Sequence, residues 1–255
     1  MLYAASIVIG LIIGSFITAL QNRLDDVWSI VYGRSKCPHC GHTLGVLDLI
    51  PVLGFVFLRG RCRYCGKKIG LHYPMIELLV AVIAVYVNYY FGFSYQSLLL
   101  FLSVCILVIA CVSDIKNREV EVWLFVSGIF FAVLWRFCVY LDVFTLYDVL
   151  LGAFSAAFLP LILSVLSREK WMGYGDSFFA VWAGTLCGFP LGLVGIFLSF
   201  LFGSIFGIII LLRKRKSGKI LNTKMPFGPF IFFGTLVTLV CGSVILDAYL
   251  GLFGY

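Results

Sequence analysis

Two aspartates stand where an apolar chain has little reason to keep a charge. Asp114 directly follows the run ending Ile109-Ala110-Cys111-Val112-Ser113, and Asp176 closes Gly173-Tyr174-Gly175-Asp176 just ahead of another apolar run. Carboxylates at or in a bilayer are costly and usually mark function. Two that share a site cannot easily both ionise, so one holds a proton while the other is a base. Such a pair can activate water and protonate a scissile carbonyl in turn, which is the chemistry of peptide hydrolysis. Gly173 and Gly175 would let a substrate strand approach the backbone closely and would interrupt the helix there. The plainer account of Asp176 is a helix cap or dipole partner. That account suits Asp114 poorly, because a helix C-terminal end repels negative charge.

A second group of residues points to a metal. Cys37-Pro38-His39-Cys40 and Cys62-Arg63-Tyr64-Cys65 form paired CxxC knuckles in a polar, basic stretch. Two residues between thiolates let both reach one tetrahedral ion, and the second knuckle completes four sulfurs. Gly41 and Gly66 follow the knuckles, where a tight turn favours glycine. A closed four-sulfur site predicts structural zinc with no open position for catalysis. His39 and His42 are expected to be solvated loop residues. The other five cysteines lie in apolar runs and read as small hydrophobes. Asp25, Asp26, Asp48, Asp142, Asp148 and Asp247 look solvated, whereas Glu77, just inside an apolar run, either pairs with a base in the preceding loop or lines a polar cavity.

These residues need an unusual scaffold. Of the 255 residues, 62% are hydrophobic and 12% charged, with a mean hydropathy of +1.07. A chain this apolar needs lipid as its solvent, and its long continuous runs predict helices and not barrel strands. Eight spans are expected, at roughly 2–20, 73–92, 95–113, 121–141, 145–166, 177–190, 191–212 and 228–252, the sixth short and ended or kinked by Pro190. The first run lacks a basic leading segment and a small-residue cleavage site, so it is read as a retained span. The expected fold is an all-α integral membrane protein with a zinc-ribbon-like insertion after the first helix. Its divisions are a first helix at 1–20, a four-cysteine zinc-binding insertion at 21–72 and a seven-helix membrane part at 73–255.

Charge sets the expected orientation. Of 19 Lys and Arg, 18 fall in the segments 21–72, 114–120, 167–176 and 213–227, which eight spans place on one side; Arg136 is the exception. Positive residues stay cytoplasmic, so the N-terminus is expected outside. The net charge of +7 is therefore a topology signal with some affinity for anionic lipid, and nucleic acid is not an expected partner.

Together these residues resemble the type IV prepilin peptidases, the bifunctional leader peptidase/N-methyltransferases. Gly14-Ser15-Phe16 followed by Arg23, the two CxxC pairs, Leu58 to Cys65, Tyr73 to Leu79, Asp114, Gly173-Tyr174-Gly175-Asp176 and Pro226-Phe227-Gly228-Pro229-Phe230 match the family's motifs in order along essentially the whole chain. The resemblance implies a GxGD aspartyl protease with Asp114 and Asp176 as its catalytic pair. It implies prepilin or pseudopilin substrates, cut on the cytoplasmic face after a basic leader ending in glycine. It further implies methylation of the new N-terminus with S-adenosylmethionine, in a bacterial cytoplasmic membrane. Two positions depart from the pattern: Glu121 replaces a usual proline, and Phe178 a usual lysine. Because the insertion is basic, Glu119 or Glu121 is expected to meet the leader's positive charge. The competing readings are another GxGD intramembrane protease, or a non-catalytic membrane scaffold or transporter carrying a zinc ribbon.

Overall fold

The computed structural model describes residues 2–21, 33–140, 143–215 and 225–252. Arg23, Asp25, Asp26, Asp142 and most of the basic 213–227 segment lie outside the described residues. Nine α-helices form among those described: α1 (Leu2–Gln21), α2 (Leu53–Phe57), α3 (His72–Phe91), α4 (Tyr95–Asn117), α5 (Val122–Tyr140), α6 (Val143–Ser167), α7 (Tyr174–Cys187), α8 (Leu191–Arg215) and α9 (Gly228–Gly251). A single 3₁₀ turn occupies Val46–Leu49. Seven of these helices are long and apolar enough to cross a bilayer, so the chain is a multi-pass membrane protein of the expected all-helical class. It divides into two compact units, residues 1–101 and 102–255.

In the first unit α1 lies along α3. Two glycines one helical turn apart allow this: a Cβ on Gly10 would stand 2.5 Å from the Ala81 Cα, and one on Gly14 would stand 2.7 Å from the Glu77 Cα. Lipid supplies no hydrophobic drive between helices, so close backbone approach through small residues takes its place. Asn88 Nδ2 donates to Ser6 Oγ at 2.8 Å and closes the far end of the pair. Asp48, expected to be solvated, is not. Its carboxylate meets the Arg63 guanidinium at 2.9 Å, its side chain is only 4% exposed, and it accepts the Gly45 N–H at 3.0 Å. Sequence position suggested a free loop carboxylate; the fold of the cysteine segment encloses it.

In the second unit the shortest long helix is the most central. The sixth expected span is α7, and its fourteen residues reach only about 21 Å. Its ends nevertheless meet the two ends of the unit. Its first turn approaches Asp114 and Gly228, while Gly188, just past its end, abuts the Arg136 and Asp148 side chains. Nine of its residues are buried, from Ser177 to Cys187, so protein and not lipid surrounds it. Small residues again set the spacing. A Cβ on Gly184 would collide with the Gly152 carbonyl of α6, and one on Gly128 of α5 would collide with the Trp182 ring. That ring is fixed by a relay in which Trp182 Nε1 donates to Ser103 Oγ at 2.9 Å, and Ser103 Oγ donates to the Gly128 carbonyl at 2.9 Å.

Arg136 and Asp148 explain the lone exception to the charge pattern. The Arg136 guanidinium donates to Asp148 Oδ2, and Asp148 Oδ1 accepts the Phe189 N–H at 2.8 Å. Arg136 is therefore a buried, neutralised charge tying α5 to α6 and to the α7–α8 turn. Asp148 keeps 29% of its side chain exposed, as its sequence position suggests, but it is also ion-paired and hydrogen-bonded.

Candidate active site and cysteine cluster

Asp114 lies in the last turn of α4, three residues before the helix ends at Asn117. The apolar run stops at Ser113, but the helix continues, because hydrogen bonding and not hydropathy decides where it ends. Asp176 sits in the first turn of α7. The helix begins at Tyr174, with Gly173 as its extended N-cap, so Gly175 and Asp176 are helical and do not precede the helix as the sequence implied. Gly173 holds the cap position: the Asp176 backbone N–H reaches the Gly173 carbonyl at 3.2 Å, and the Gly173 N–H in turn donates to the Asp176 carboxylate. Asp176 therefore does help to cap α7, and what a cap alone does not account for is the second carboxylate, Asp114, acting on it. The two carboxyls lie close enough for their charges to act on each other.

What fixes Asp114 is a third element. The Gly228 N–H, at the first residue of α9, donates to Asp114 Oδ2 at 3.1 Å. A helix N-terminus carries unpaired amides and a partial positive charge, so α9 supplies what the C-terminal end of α4 withholds. There is no room for anything but glycine: a Cβ at position 228 would stand 2.5 Å from Asp114 Oδ2 and 2.8 Å from the Phe179 ring. Phe179 lies on α7 one turn after Asp176, so Gly228 is wedged between the helices that carry the two aspartates. Substituting Gly228 with Ala is expected to push Asp114 aside and to lower turnover about 10²-fold, as displacement of a reacting group by about 1 Å does. Steady-state cleavage kinetics with a retained helical circular dichroism spectrum would check this.

The remaining expected residues line up differently. Gly173 and Gly175 are exposed beside Asp176, open to an approaching chain. Glu119 and Glu121 are exposed in the α4–α5 turn and form no ion pair among the described residues. Phe178, where the resemblance implied a lysine, stacks on Phe125 of α5 with ring centroids 5.5 Å apart. It joins an aromatic group beside Asp176 and places no charge there. Glu77 lines a cavity, the second of the two roles expected for it, and its Oε2 accepts the Val52 N–H at 2.7 Å.

The four cysteines converge. Their sulfurs all lie within 4.8 Å of one another, with Cys37 and Cys65 4.0 Å apart. A tetrahedral zinc with bonds of about 2.3 Å needs sulfurs about 3.8 Å apart, so the cluster fits such a cation with little adjustment. Each knuckle is built the same way. Cys37 N–H donates to the His42 carbonyl and Gly41 N–H to the Cys37 carbonyl; Cys62 and Gly66 repeat both bonds with Lys67 and Cys62 as acceptors. Gly41 and Gly66 have φ of 70° and 68°, which a side chain would resist. His39 and His42 stay outside the sulfur group, both exposed, with His42 stacked on Tyr64 at 3.6 Å. The Cys40 and His39 amides draw the Cys37 thiol down to about 7. The Lys67 amide acts likewise on Cys65, but desolvation and the three other thiols outweigh it and push that group up to about 11. Four clustered thiols thus give up a first proton readily and a last one reluctantly, a conflict that a bound divalent cation removes.

Sequence reasoning missed Gly228 as the partner of Asp114. The available signal was a glycine between two prolines at the start of an apolar run, where the free amides of a new helix must lie.

A helical membrane bundle that brings two acidic side chains to one end has the groups that hydrolysis within a membrane requires. The bacterial peptidase A24 N-terminal domain matches residues 8–91, and the type IV leader peptidase family matches residues 100–208. The chain is 28% identical over 98% of its length to a prepilin leader peptidase/N-methyltransferase of Pseudomonas aeruginosa, covering 94% of that protein. It is 31% identical over 95% of its length to one of Bacillus subtilis, covering 96% of it, and 30% identical over 86% of its length to one of Legionella pneumophila, covering 76%. No solved structure matches it. The chain belongs to the type IV leader peptidase family and is an enzyme, a peptidase with methyltransferase activity.

Proposed function

We propose that the chain is an aspartyl endopeptidase that removes the basic leader after glycine from prepilin or pseudopilin precursors at the cytoplasmic face, then methylates the new N-terminus with S-adenosylmethionine. The observation that carries this reading is the meeting of Asp114, Asp176 and the Gly228 amide at one end of the second unit. One carboxylate takes a proton from water as the oxygen adds to the scissile carbonyl, and the other carboxyl protonates the carbonyl oxygen. Collapse of the tetrahedral intermediate then breaks the C–N bond as the leaving amine gains a proton. Gly173 and Gly175 leave room for the extended segment around the bond. The new amine must lose a proton to solvent before its lone pair can take a methyl group. S-adenosylmethionine, when bound, supplies that electrophilic methyl.

The same reading divides the chain. Helix 1–20 anchors the four-cysteine insertion of 21–72, which serves methyl transfer and is held by structural zinc, and the helices of 73–255 carry the peptidase. The basic segments favour a bacterial cytoplasmic membrane with the N-terminus outside, and anionic lipids as neighbours. Pilus, secretion or competence systems supply precursors of the required chemistry.

Glu119 and Glu121 are the acidic groups exposed next to the Asp114 end of α4, and we assign them to the leader's positive charge. A screened attraction there contributes about 1 kcal/mol or less. Reversing both charges to Lys should raise KM about fivefold for a Lys-rich leader, given that magnitude, and leave a neutralised leader nearly unchanged. Equal effects on both leaders in a cleavage assay with purified precursor would show that these residues do not read the leader.

A further inference from the structure

The first unit holds a cavity of about 470 Å³, and none of its lining residues is one assigned to peptide hydrolysis. That is the size of a small-molecule site. Phe55 and Leu58 give it apolar wall, Lys36, Lys67 and Lys68 border it as exposed cations, and Glu77 lines it as a buried carboxylate, 7% exposed. Glu77 accepts hydrogen bonds from the Val52 N–H and the Ser15 hydroxyl, yet forms no ion pair with any described residue. A carboxylate can accept about four hydrogen bonds, so capacity remains. An ionised carboxylate withdrawn from water without a cation is costly. Val52 is held at φ 60°, a conformation a β-branched residue resists, and its amide is the one clamped to Glu77. Strain kept in this way clusters at ligand sites.

We infer that this cavity is the methyl-donor site and that Glu77 faces the sulfonium of S-adenosylmethionine. The inference rests on the methyltransferase half of the proposed function and adds its location. The donor carries two positive charges and one carboxylate. Glu77 meets the sulfonium, the bordering lysines suit the carboxylate, and the apolar wall suits the adenine. S-adenosylhomocysteine has the same shape without the methyl group and the sulfonium charge, so it isolates what Glu77 contributes.

The test is calorimetric titration of the full chain in lipid nanodiscs with both compounds, for the wild type and Glu77→Gln. Glutamine can still accept the Val52 N–H. The variant should bind S-adenosylmethionine about tenfold more weakly, as loss of a charge-assisted contact predicts, while its affinity for S-adenosylhomocysteine changes less than about twofold. In parallel, ultraviolet cross-linking of radiolabelled S-adenosylmethionine to the wild type should label peptides within 15–19 or 35–77. An unchanged preference in Glu77→Gln, or label confined to 102–255, overturns the assignment and leaves the methyltransferase reading standing. If the variant loses both compounds, the wild-type label decides: within 15–19 or 35–77, which line the cavity, the assignment stands, and elsewhere it falls. A wild type that binds neither compound overturns this inference together with the methyltransferase half of the proposed function.

Discussion

Replacing Asp114 or Asp176 with Asn will abolish precursor cleavage, by about 10³-fold or more, because each substitution removes one member of an acid–base pair. Asn keeps the shape of Asp, and its carbonyl oxygen can still accept the Gly228 N–H that holds position 114. The loss is therefore chemical and not structural. The double variant should be no worse than either single one, since residues that act as a unit are not additive. A rate profile that falls on both sides of an optimum is expected for the wild type, because one proton must be present and the other absent. Methylation of a peptide supplied already cleaved should survive in both variants, which separates a lost dyad from a lost fold. Cleavage by either variant at more than about a tenth of the wild-type rate, against the loss expected of a general acid or base, would sink the assignment.

The second large effect belongs to the cysteines. Zinc should be found at about one equivalent per chain by elemental analysis, as one four-sulfur site predicts, and Cys40→Ser should abolish it. Residues 33–70 contain one 3₁₀ turn, one five-residue helix and two isolated bridges, too little regular structure to hold themselves. Zinc binding in such small units is worth about 10–16 kcal/mol at neutral pH and is effectively the folding energy. Cys40→Ser or chelation should therefore open 33–70 to limited proteolysis and cost methylation before it touches cleavage. Acidification should release the metal as the thiolates regain protons. A Cys40→Ser protein with unchanged zinc content and protease resistance would refute the site.

These two effects show how much could be read in advance. The membrane class and seven of the eight expected spans follow from hydropathy, since a helix in lipid must be about 20 apolar residues long whatever it packs against. The cysteine site follows from spacing alone, because two CxxC pairs leave a tetrahedral cation few other geometries. Asp114 and Asp176 could be singled out because charge is rare at such positions. All of this is local: each signal is carried by neighbours in the chain.

What the sequence could not decide depends on residues far apart in it. Gly228 follows Asp114 by more than a hundred positions, and only the arrival of the α9 N-terminus beside the end of α4 makes its amide the partner of that carboxylate. Asp148 looked like a merely solvated interface residue until the fold set Arg136 and the Phe189 amide against it. Asp48 looked like a loop residue until the second knuckle brought Arg63 over it. The short helix α7 is under-length for lipid and becomes stable only inside a sleeve of protein, with Gly152 and Gly128 making space. Hydropathy and spacing state what each segment can tolerate. Which amide, cation or ring a buried carboxylate finally meets is decided by tertiary packing, because burial carries a penalty that only a partner from elsewhere in the chain can offset.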